Sequence, residues 1–364
     1  MLRHMGQHGG GVMVYTKNLL RELLALDSPH EFVLMYQDPR FLGSYGNGGR
    51  VREIAVRAPS VVLWDQMVVP YLARREKLDL IFNPKYSVPL AAPCPSVFVC
   101  HGLDWYVMPQ WSRWMDRLNH RYLIPKFAAK AAKIIAVSNT ARDHVLHYLP
   151  VSAERVETIY LGVVEGFHDP IPATRLDEVR QAYDLPKRFL LYCGQIYPPK
   201  NFGRLLQAFA RVGPPLGISL VVAGEHRWLC EDDLALVKAL GISRWVVRPG
   251  WIAHEELPAF YRLAEALVMP SLYEACPSPP LEAMASGCPV VTANRHGTKE
   301  IAGGAALLVD PEDVDSIAAG IDRVLTDHDL RRRLVEAGHE RARSFSWRKC
   351  AEETHAVLEK AAKN

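Results

Sequence analysis

The chain has 364 residues, a length that suits two domains, each with its own core. Its 49% hydrophobic and 23% charged residues are typical of a folded globular protein and exclude a disordered or fibrous one. The 43 basic and 40 acidic side chains leave a net charge of only +3, which gives no support for nucleic-acid binding.

The seven cysteines are scattered and form no C-x-x-C pair, so neither a disulfide framework nor a structural zinc site is expected. No apolar run approaches the length of a membrane span, and the first ten residues lack the apolar core of a signal peptide. These features predict a cytoplasmic protein.

Helix and strand patterns alternate along the first half of the chain. A glycine run ending at Gly11 precedes a predicted helix over 12–26, and Asn139 is the predicted cap of a later one. A long helix is predicted over 111–132. Apolar runs typical of buried strands cover 31–37, 78–82, 96–100 and 133–137. This β–α–β order predicts a parallel sheet with helices on both faces.

The second half repeats the alternation. Strands are predicted over 189–193, 219–223, 245–247, 266–269 and 289–292, and helices within 316–360. The segment 162–173 is rich in glycine and proline and is the predicted linker. We therefore expect an α/β protein with two Rossmann-like doubly wound domains, 1–165 and 174–345, facing each other across a cleft.

Glycines and polar residues lie in the loops that follow several of the predicted strands. In open α/β sheets, ligands bind at the carboxyl ends of the strands, so these residues are candidates for a binding site. They are His101, Gly194, Lys200, Gly224, Glu225 and Glu274. For His101, the alternative is a hydrogen-bonded histidine that ends a strand.

Lys200 stands directly before Asn201, the predicted cap of the helix FGRLLQAFA. The positive end of a helix dipole disfavours a cation, and an anion bound between the two would turn this conflict into attraction. The alternative is a solvated lysine in a loop. No strand is followed by G-x-G-x-x-G and no G-x-x-x-x-G-K-[ST] occurs, so a dehydrogenase and a P-loop enzyme lack sequence support.

The stretch YEACPSPPLEAMASG places Glu282 eight residues after Glu274. Ser278 is the predicted cap of a helix and Pro279 suits its first position, so Glu282 falls in the first turn. A carboxylate there stabilises the helix by about 0.3 to 1 kcal/mol, which could be its whole purpose. It could also accept two hydrogen bonds from a vicinal diol such as a ribose, while nearby amides bind phosphate.

This E-x7-E pattern resembles the signature of retaining glycosyltransferases of family 4, which have the two-domain GT-B fold. Further motifs follow in the family's order: GGGVMVYTKNLLREL, HGLDW, KIIAVSNTARDHV, LYCGQIYPPKNFGRLLQAF, LPAFYRLAEALVMPSLYE and AALLVDPEDVDSIAAGI. The resemblance implies a hexosyltransferase that uses a UDP- or GDP-linked sugar, requires no metal ion or cofactor and retains the anomeric configuration. A glycan or lipid-linked acceptor would bind to the N-terminal domain.

The resemblance also implies roles for particular residues. Glu282 would bind the ribose, Glu274 the transferred sugar and Lys200 the leaving diphosphate, while His101 would lie beside the reacting carbon. Further contacts to the nucleotide sugar would come from Gly10, Gly11, Gly194, Ser278 and Leu281. The closing helix, about 346–364, would return to the N-terminal domain.

Three features depart from the family pattern. Gln195 stands where many relatives have an arginine, so Lys200 lacks a second cation unless Lys299 supplies it. The residues ACP replace the commoner glycine–phenylalanine–glycine after the first glutamate, and Pro277 has no N–H to donate. The strand that precedes the glycine loop in the family is missing, which would leave its neighbours unpaired; we expect a start site set too far downstream or a truncated copy.

The segment 111–133 is the predicted contact to an anionic membrane surface that carries a lipid-linked acceptor, on the inner face of the membrane. Its aromatic and basic residues recur at helical spacing: Trp111, Trp114, Arg113, Arg117, Arg121, Lys126, Lys130 and Lys133. The alternative is a solvated helix face.

Two other functions stay open. A nucleotide-sugar epimerase can have the same two-domain architecture, and the missing strand with Gln195 would suit an inactive nucleotide-sugar-binding protein. The placement of the E-x7-E pair favours transfer.

Overall fold

The computed structural model describes residues 1–2, 10–46, 49–111, 114–225 and 231–363. The chain forms two compact units, the first made of Met1–Gly162 with Ser346–Asn364 and the second of Val163–Phe345. In the described residues, every strand pairing in both units is parallel. The predicted α/β class with parallel sheets in two domains is therefore confirmed.

The first unit has two parallel sheets in its described part, one with the order β1-β2 and one with the order β3-β4-β5-β6. The strands are β1 (Phe32–Tyr36), β2 (Val51–Ala55), β3 (Ile81–Asn83), β4 (Ser96–Cys100), β5 (Lys133–Ala136) and β6 (Val156–Thr158). Met1 and Leu2 are buried between these sheets. The Leu2 amide donates to the carbonyl oxygen of Met35 in β1, and the Met1 ammonium to that of Phe82 in β3, both at 2.8 Å. Two residues thus link the sheets where the family pattern has a central strand.

The second unit has one six-stranded parallel sheet with the order β12-β11-β10-β7-β8-β9. Its strands are β7 (Phe189–Cys193), β8 (Ser219–Ala223), β9 (Val246–Gly250), β10 (Ala266–Met269), β11 (Val290–Ala293) and β12 (Leu307–Val309). The chain builds outward from β7 to one edge, then returns to β10 and builds to the other edge. The order of strands therefore reverses between β7 and β10, which is where open α/β sheets bind ligands.

Helices connect the strands. Those of the first unit are α1 (Gly11–Ala25), α2 (Val61–Leu63), α3 (Val69–Arg75), α4 (Asp104–Val107), α5 (Trp114–Lys130) and α6 (Asn139–Tyr148). Those of the second are α7 (Ala173–Ala182), α8 (Phe202–Val212), α9 (Glu231–Ala239), α10 (Leu257–Leu263), α11 (Ser278–Ala285), α12 (His296–Ala302), α13 (Val314–Thr326) and α14 (His328–Arg343). The last helix, α15 (Trp347–Ala362), belongs to the first unit.

Helix α15 packs against α1, as the ring contact of Trp347 with Tyr15 at 5.6 Å illustrates. Its outer turns contact the loop after α1, where Ser28 bonds His355 at 2.9 Å and His30 bonds Glu359 at 3.0 Å. The end of the chain is thereby fixed to the first unit.

The core of the second unit lies under α8 and α13, which pack on each other and on the sheet. Leu205 and Phe209 of α8 and Ile317 and Ile321 of α13 are completely buried. Burial of each such side chain stabilises the unit by about 1.5–3 kcal/mol. This core supports the ends of β7 and β10.

The segment predicted as a linker belongs mostly to the second unit, which begins at Val163. Phe167 within it is buried and packs against His254 and Tyr261, with ring centroids 5.1 and 6.0 Å apart. Composition predicted an irregular segment but could not predict that its one phenylalanine enters the core.

Candidate active site

The loops that follow β7 and β10 meet at the carboxyl end of the second unit's sheet. The Leu272 amide in the second loop donates to the Pro199 carbonyl oxygen in the first at 2.8 Å. Lys200 lies on one of these loops and Glu274 on the other. Because β7 and β10 are neighbours at the reversal of strand order, the fold brings together two residues that are 74 positions apart in the chain.

Lys200 and Glu274 form an ion pair in which Nζ lies 2.5 Å from Oε1. Their side chains are only 15% and 12% exposed, so solvent screens the pair weakly. Ser271 Oγ donates to the same carboxylate oxygen at 2.9 Å, and the Lys200 ammonium lies 5.5 Å from the centre of the Tyr197 ring. The sequence predicted a bound anion between Lys200 and the start of α8; in the structure, the Lys200 ammonium pairs with the Glu274 carboxylate of the same chain.

Asn201, the residue after Lys200, fixes the loop that carries this ion pair. It is the N-cap residue of α8, as the sequence predicted, although its side chain makes no cap hydrogen bond. Instead, Nδ2 donates to the carbonyl oxygens of Pro270 at 2.9 Å and Pro311 at 2.6 Å, and the backbone adopts a left-handed φ of 60°. Asparagine tolerates that conformation better than most residues. It therefore both turns the chain after Lys200 and holds the end of β10.

Glu282 is buried in α11, with 5% of its surface exposed. Tyr261 donates its hydroxyl hydrogen to one carboxylate oxygen at 3.0 Å, and His254 Nε2 donates to the other at 3.2 Å. A carboxylate oxygen can accept more than one hydrogen bond, so these partners leave capacity for a ligand. Sequence reasoning missed His254 and Tyr261 because they lie 28 and 21 residues away, and only the fold places them at Glu282.

The residues around Glu282 differ in charge. Burial raises the pKa of Tyr261 well above its ordinary value, and Cys193 and Glu282 raise it further, so its phenol stays neutral. Burial lowers the pKa of His254, but the hydrogen bond to Glu282 and the charge of that carboxylate raise it more, to a value above 6.5. Glu282 is thus held by one neutral donor and by a histidine whose pKa the carboxylate raises.

Cys193, the last residue of β7, is influenced by the charges of both Glu282 and Lys200. Burial raises the pKa of its thiol to about 12; the negative charge of Glu282 also raises it, and the positive charge of Lys200 lowers it. The thiol stays protonated and unreactive at neutral pH. Both charges are therefore near the carboxyl end of β7.

Helix α11 begins one residue earlier than the sequence predicted. Pro277 is its N-cap and Ser278 its first residue, and no side-chain cap hydrogen bond is present, so Ser278 as the cap is wrong. A proline fits the N-cap position because its fixed φ suits the extended backbone found there, −73° and 126°. Leu281 is completely buried.

Two close backbone approaches shape the site. A Cβ atom on Gly224 would lie 2.0 Å from the carbonyl oxygen of Gly194, so the loops after β7 and β8 can meet only through a glycine there. A Cβ atom on Gly297 would lie 1.9 Å from the carbonyl oxygen of Ala275, and the Gly297 amide donates to the Glu274 carbonyl oxygen at 2.9 Å. The start of α12 therefore fixes the main chain of Glu274.

Three predicted site residues belong to the first unit. His101 follows β4, and its Nε2 donates to the Pro84 carbonyl oxygen at 2.8 Å, which leaves Nδ1 as the acceptor nitrogen. Burial lowers the pKa of His101 to about 4, so the ring is neutral at pH 7. Gly10 is the N-cap of α1 and Gly11 its first residue, and a Cβ atom on Gly11 would meet nothing.

The predicted membrane segment 111–133 is only partly described. Arg113 lies outside the described residues, and the side chain of Trp114 is among those not described. The described exposed residues of α5 include Arg117, Arg121, Tyr122, Lys126 and Lys130. Lys133 does not belong to this basic face, since it is 15% exposed and pairs with Glu157 at 3.3 Å. Within the described part of the chain, no helix is both long and apolar enough to cross a membrane.

Two family models together match most of the chain, Glycosyltransferase Family 4 over residues 9–165 and Glycosyl transferases group 1 over residues 176–341. The chain is 30% identical over 322 residues to the O-antigen chain mannosyltransferase B of Escherichia coli, which covers 85% of this chain and 82% of that protein. It is 29% identical over 291 residues to the serotype-specific mannosyltransferase WbdA of the same species, covering 76% of this chain but only 35% of the much longer relative.

The fold is similar to that of Anabaena HepE, solved in complex with UDP and glucose, with a TM-score of 0.79 and 17% identity over 98% of each chain. The two family models and the fold together define a glycosyltransferase of the GT-B type. The chain belongs to glycosyltransferase family 4, as its motifs predicted.

Proposed function

We propose that this glycosyltransferase moves a mannose-like hexose from a UDP- or GDP-linked donor to a glycan or lipid-linked acceptor, with retention of configuration and without a metal ion. The mannosyltransferase relatives support the sugar and the role in polysaccharide or glycolipid synthesis. A cytoplasmic location at the inner face of the membrane is part of the same proposal. The observation that carries it is the Lys200–Glu274 pair at the switch point of the second unit's sheet.

In this proposal, Lys200 neutralises the diphosphate as the glycosyl–phosphate bond breaks. Cleavage of this bond leaves positive charge on the sugar ring and adds negative charge to the departing oxygen. An ammonium group carries three hydrogens, so Lys200 can keep its bond to Glu274 and donate to a phosphate oxygen as well. A preorganised donor of this kind is worth about 3 kcal/mol in the transition state.

Glu274 and Glu282 bind the two ends of the donor. Glu282 accepts hydrogen bonds from the ribose hydroxyls, and the Gly194 loop and the start of α11 at Ser278 and Leu281 contribute backbone donors to the nucleotide. Glu274 accepts from the hydroxyls of the transferred sugar. Two acceptors and one cation at the same end of the sheet suit a ligand that carries hydroxyl-rich groups and an anionic diphosphate.

The acceptor's proton goes to the departing phosphate oxygen, while the acceptor oxygen forms the new bond on the same face of the sugar. This front-face reaction needs no separate base. The roles of Gly10 and Gly11 near the phosphates, and of His101 near the reacting carbon, follow the family resemblance. Neutral His101 would act through hydrogen bonds rather than through charge.

The test is incubation of the purified chain with UDP-, GDP- and ADP-sugars, with and without lipid-linked and oligosaccharide acceptors. Nucleotide release that depends on the acceptor, fastest with a mannose donor, supports the proposal. Conversion of the donor sugar without any acceptor would instead identify an epimerase. Tight donor binding without turnover would identify an inactive binding protein. The anomeric configuration of the product, and activity in excess chelator, check retention and metal independence.

The basic face of α5 is the proposed contact to an anionic acceptor membrane. The side chains of Arg117, Arg121, Lys126 and Lys130 that carry it are exposed. Replacement of Arg117 and Arg121 by alanine should weaken transfer to a lipid-linked acceptor but not to a short soluble one. Equal loss with both acceptors would contradict this contact.

A further inference from the structure

One surface of the first unit collects most of the chain's exposed apolar residues. Ten large hydrophobic side chains are exposed among the described residues, and six of them lie here. The six, here called the apolar surface, are Val61, Val62, Leu63, Met67, Tyr71 and Leu90. The exposed fractions reach 60% at Val62, 65% at Met67 and 61% at Tyr71. Gln66 holds Leu90 beside the helix, since its Oε1 accepts from the Leu90 amide at 2.9 Å.

The helical segment that carries the apolar surface, residues 61–75, is apolar on its inner face too. Its buried residues include Trp64, Val69, Leu72 and Ala73. The segment contains a π turn at Trp64–Val68, in which the Val69 amide donates to the Trp64 carbonyl oxygen, and Pro70 follows with no amide hydrogen to give. Leu63, Met67 and Tyr71 recur every four residues on the outer face. An exposed helix that is apolar all round is typical of a segment that another apolar phase covers.

The charges at this surface have one sign. Between residues 57 and 75 the only acidic residue is Asp65, which is 3% exposed and accepts a hydrogen bond from Ser87 at 2.6 Å. The exposed charged residues of the same stretch are Arg57, Arg74 and Arg75. Apolar side chains in the middle and arginines at both ends give the segment the character of an interfacial helix.

The C-terminal end of the segment also carries a net positive charge. The Arg75 guanidinium lies 5.9 Å from the centre of the Tyr71 ring. This contact places a cation next to an aromatic ring, a pair of residue types common at membrane interfaces. Glu76 follows, but its side chain is only 10% exposed and pairs with both Arg52 and Arg75. Two cations against one carboxylate leave the end of the helix positive.

We propose that the apolar surface inserts into the interfacial region of an anionic lipid bilayer. Apolar burial would supply the binding free energy, at about 25 cal/mol per Å² removed from water, and the arginines would add attraction to the lipid headgroups. A second copy of the chain fits less well, because a two-fold interface would bring the arginines of both copies together. The inference rests on the first unit alone and does not depend on the donor sugar or nucleotide.

The test is flotation of the full chain with phosphatidylcholine vesicles, with and without phosphatidylglycerol, at low and high salt. Wild type should float with the anionic vesicles and lose part of this binding at high salt. The double variant Met67→Glu with Tyr71→Glu should bind at least about tenfold more weakly, since both changes place charge in the interface. The neutral pair Met67→Gln with Tyr71→Gln should also weaken binding, which separates lost insertion from charge repulsion.

Leu216→Glu, at an exposed apolar residue of the second unit, is the matched control and should float like wild type. Thermal unfolding by circular dichroism checks that each variant folds, and donor-dependent nucleotide release separates loss of membrane binding from loss of the site. Absence of flotation at low salt would overturn the proposal, as would flotation that both double variants leave unchanged. A wild-type dimer in sedimentation equilibrium that Met67→Glu with Tyr71→Glu dissociates, without flotation, would show that a second copy covers this surface.

Discussion

Glu274 and Glu282 are both glutamates at the carboxyl end of the same sheet, yet their surroundings differ. Glu274 is held by a cation, Lys200, and by the hydroxyl of Ser271. Glu282 is held by the phenol of Tyr261 and by His254. A permanent cation suits a place where a reaction develops negative charge, whereas a carboxylate oriented by a neutral phenol and a histidine suits a neutral diol. This difference supports the proposal that the leaving diphosphate lies on the Glu274 side and the ribose on the Glu282 side.

Removal of the Lys200 cation should have the largest effect of the substitutions considered. Lys200→Ala should lower kcat by about 100-fold or more, because the diphosphate loses its preorganised donor in the transition state. Donor affinity should change much less. The measurement is steady-state nucleotide release with a saturating acceptor.

Lys299→Ala is the matched control for Lys200. Lys299 is an exposed lysine of α12, and the sequence left open whether it supplies a second cation. A rate close to wild type would show that Lys200, and not Lys299, neutralises the diphosphate. A loss as large as that of Lys200→Ala would show that Lys299 supplies a second cation to the diphosphate.

Substitution of Asn201 tests how strongly this residue fixes the Lys200 loop. Asn201→Ala removes both donors to the Pro270 and Pro311 carbonyl oxygens and places alanine in a left-handed conformation. We expect about 2–4 kcal/mol less free energy of unfolding for the second unit. Asn201→Gly tolerates the φ and should recover about 1 kcal/mol of that loss. Equal stability of the two variants in urea unfolding would mean that the backbone conformation costs nothing.

The smallest expected effect comes from His254. Its folded pKa is raised, so its stabilising charge on Glu282 is fully present below the unfolded value of 6.5 and is lost as pH rises through the folded pKa. The melting temperature of His254→Gln should therefore lie below that of wild type at pH 6 and approach it at pH 9. The free-energy difference should be within about 1 kcal/mol, since the pair is partly exposed. A difference that grows with pH would have the wrong sign.

Much of the second unit could be predicted from sequence, because its strands are continuous apolar runs between helices with clear stops. The predicted strands 189–193, 219–223 and 266–269 match β7, β8 and β10. Short strands were missed: β12 has three residues and follows two alanines that look helical. The Lys200–Glu274 contact depends on which strands are neighbours, and local pattern does not determine strand order.

The first unit was harder to predict. Strand β2, with the sequence VREIA, alternates polar and apolar residues weakly, and the segment 61–75 has no polar face that would mark it as a surface helix. Its π turn and Pro70 also break the helical period. His254 and Tyr261 carry no motif of their own, so their role could be found only from their contacts with Glu282.

The most direct test is calorimetric titration of the nucleoside diphosphate and of the intact nucleotide sugar into Glu274→Gln and Glu282→Gln. We expect Glu282→Gln to weaken both ligands equally, by about 1.5–3 kcal/mol, because it touches the ribose that they share. Glu274→Gln should weaken only the nucleotide sugar. If Glu274→Gln weakened the bare diphosphate as much as the sugar, or if Glu282→Gln left both unchanged, the assignment of the two carboxylates would be wrong.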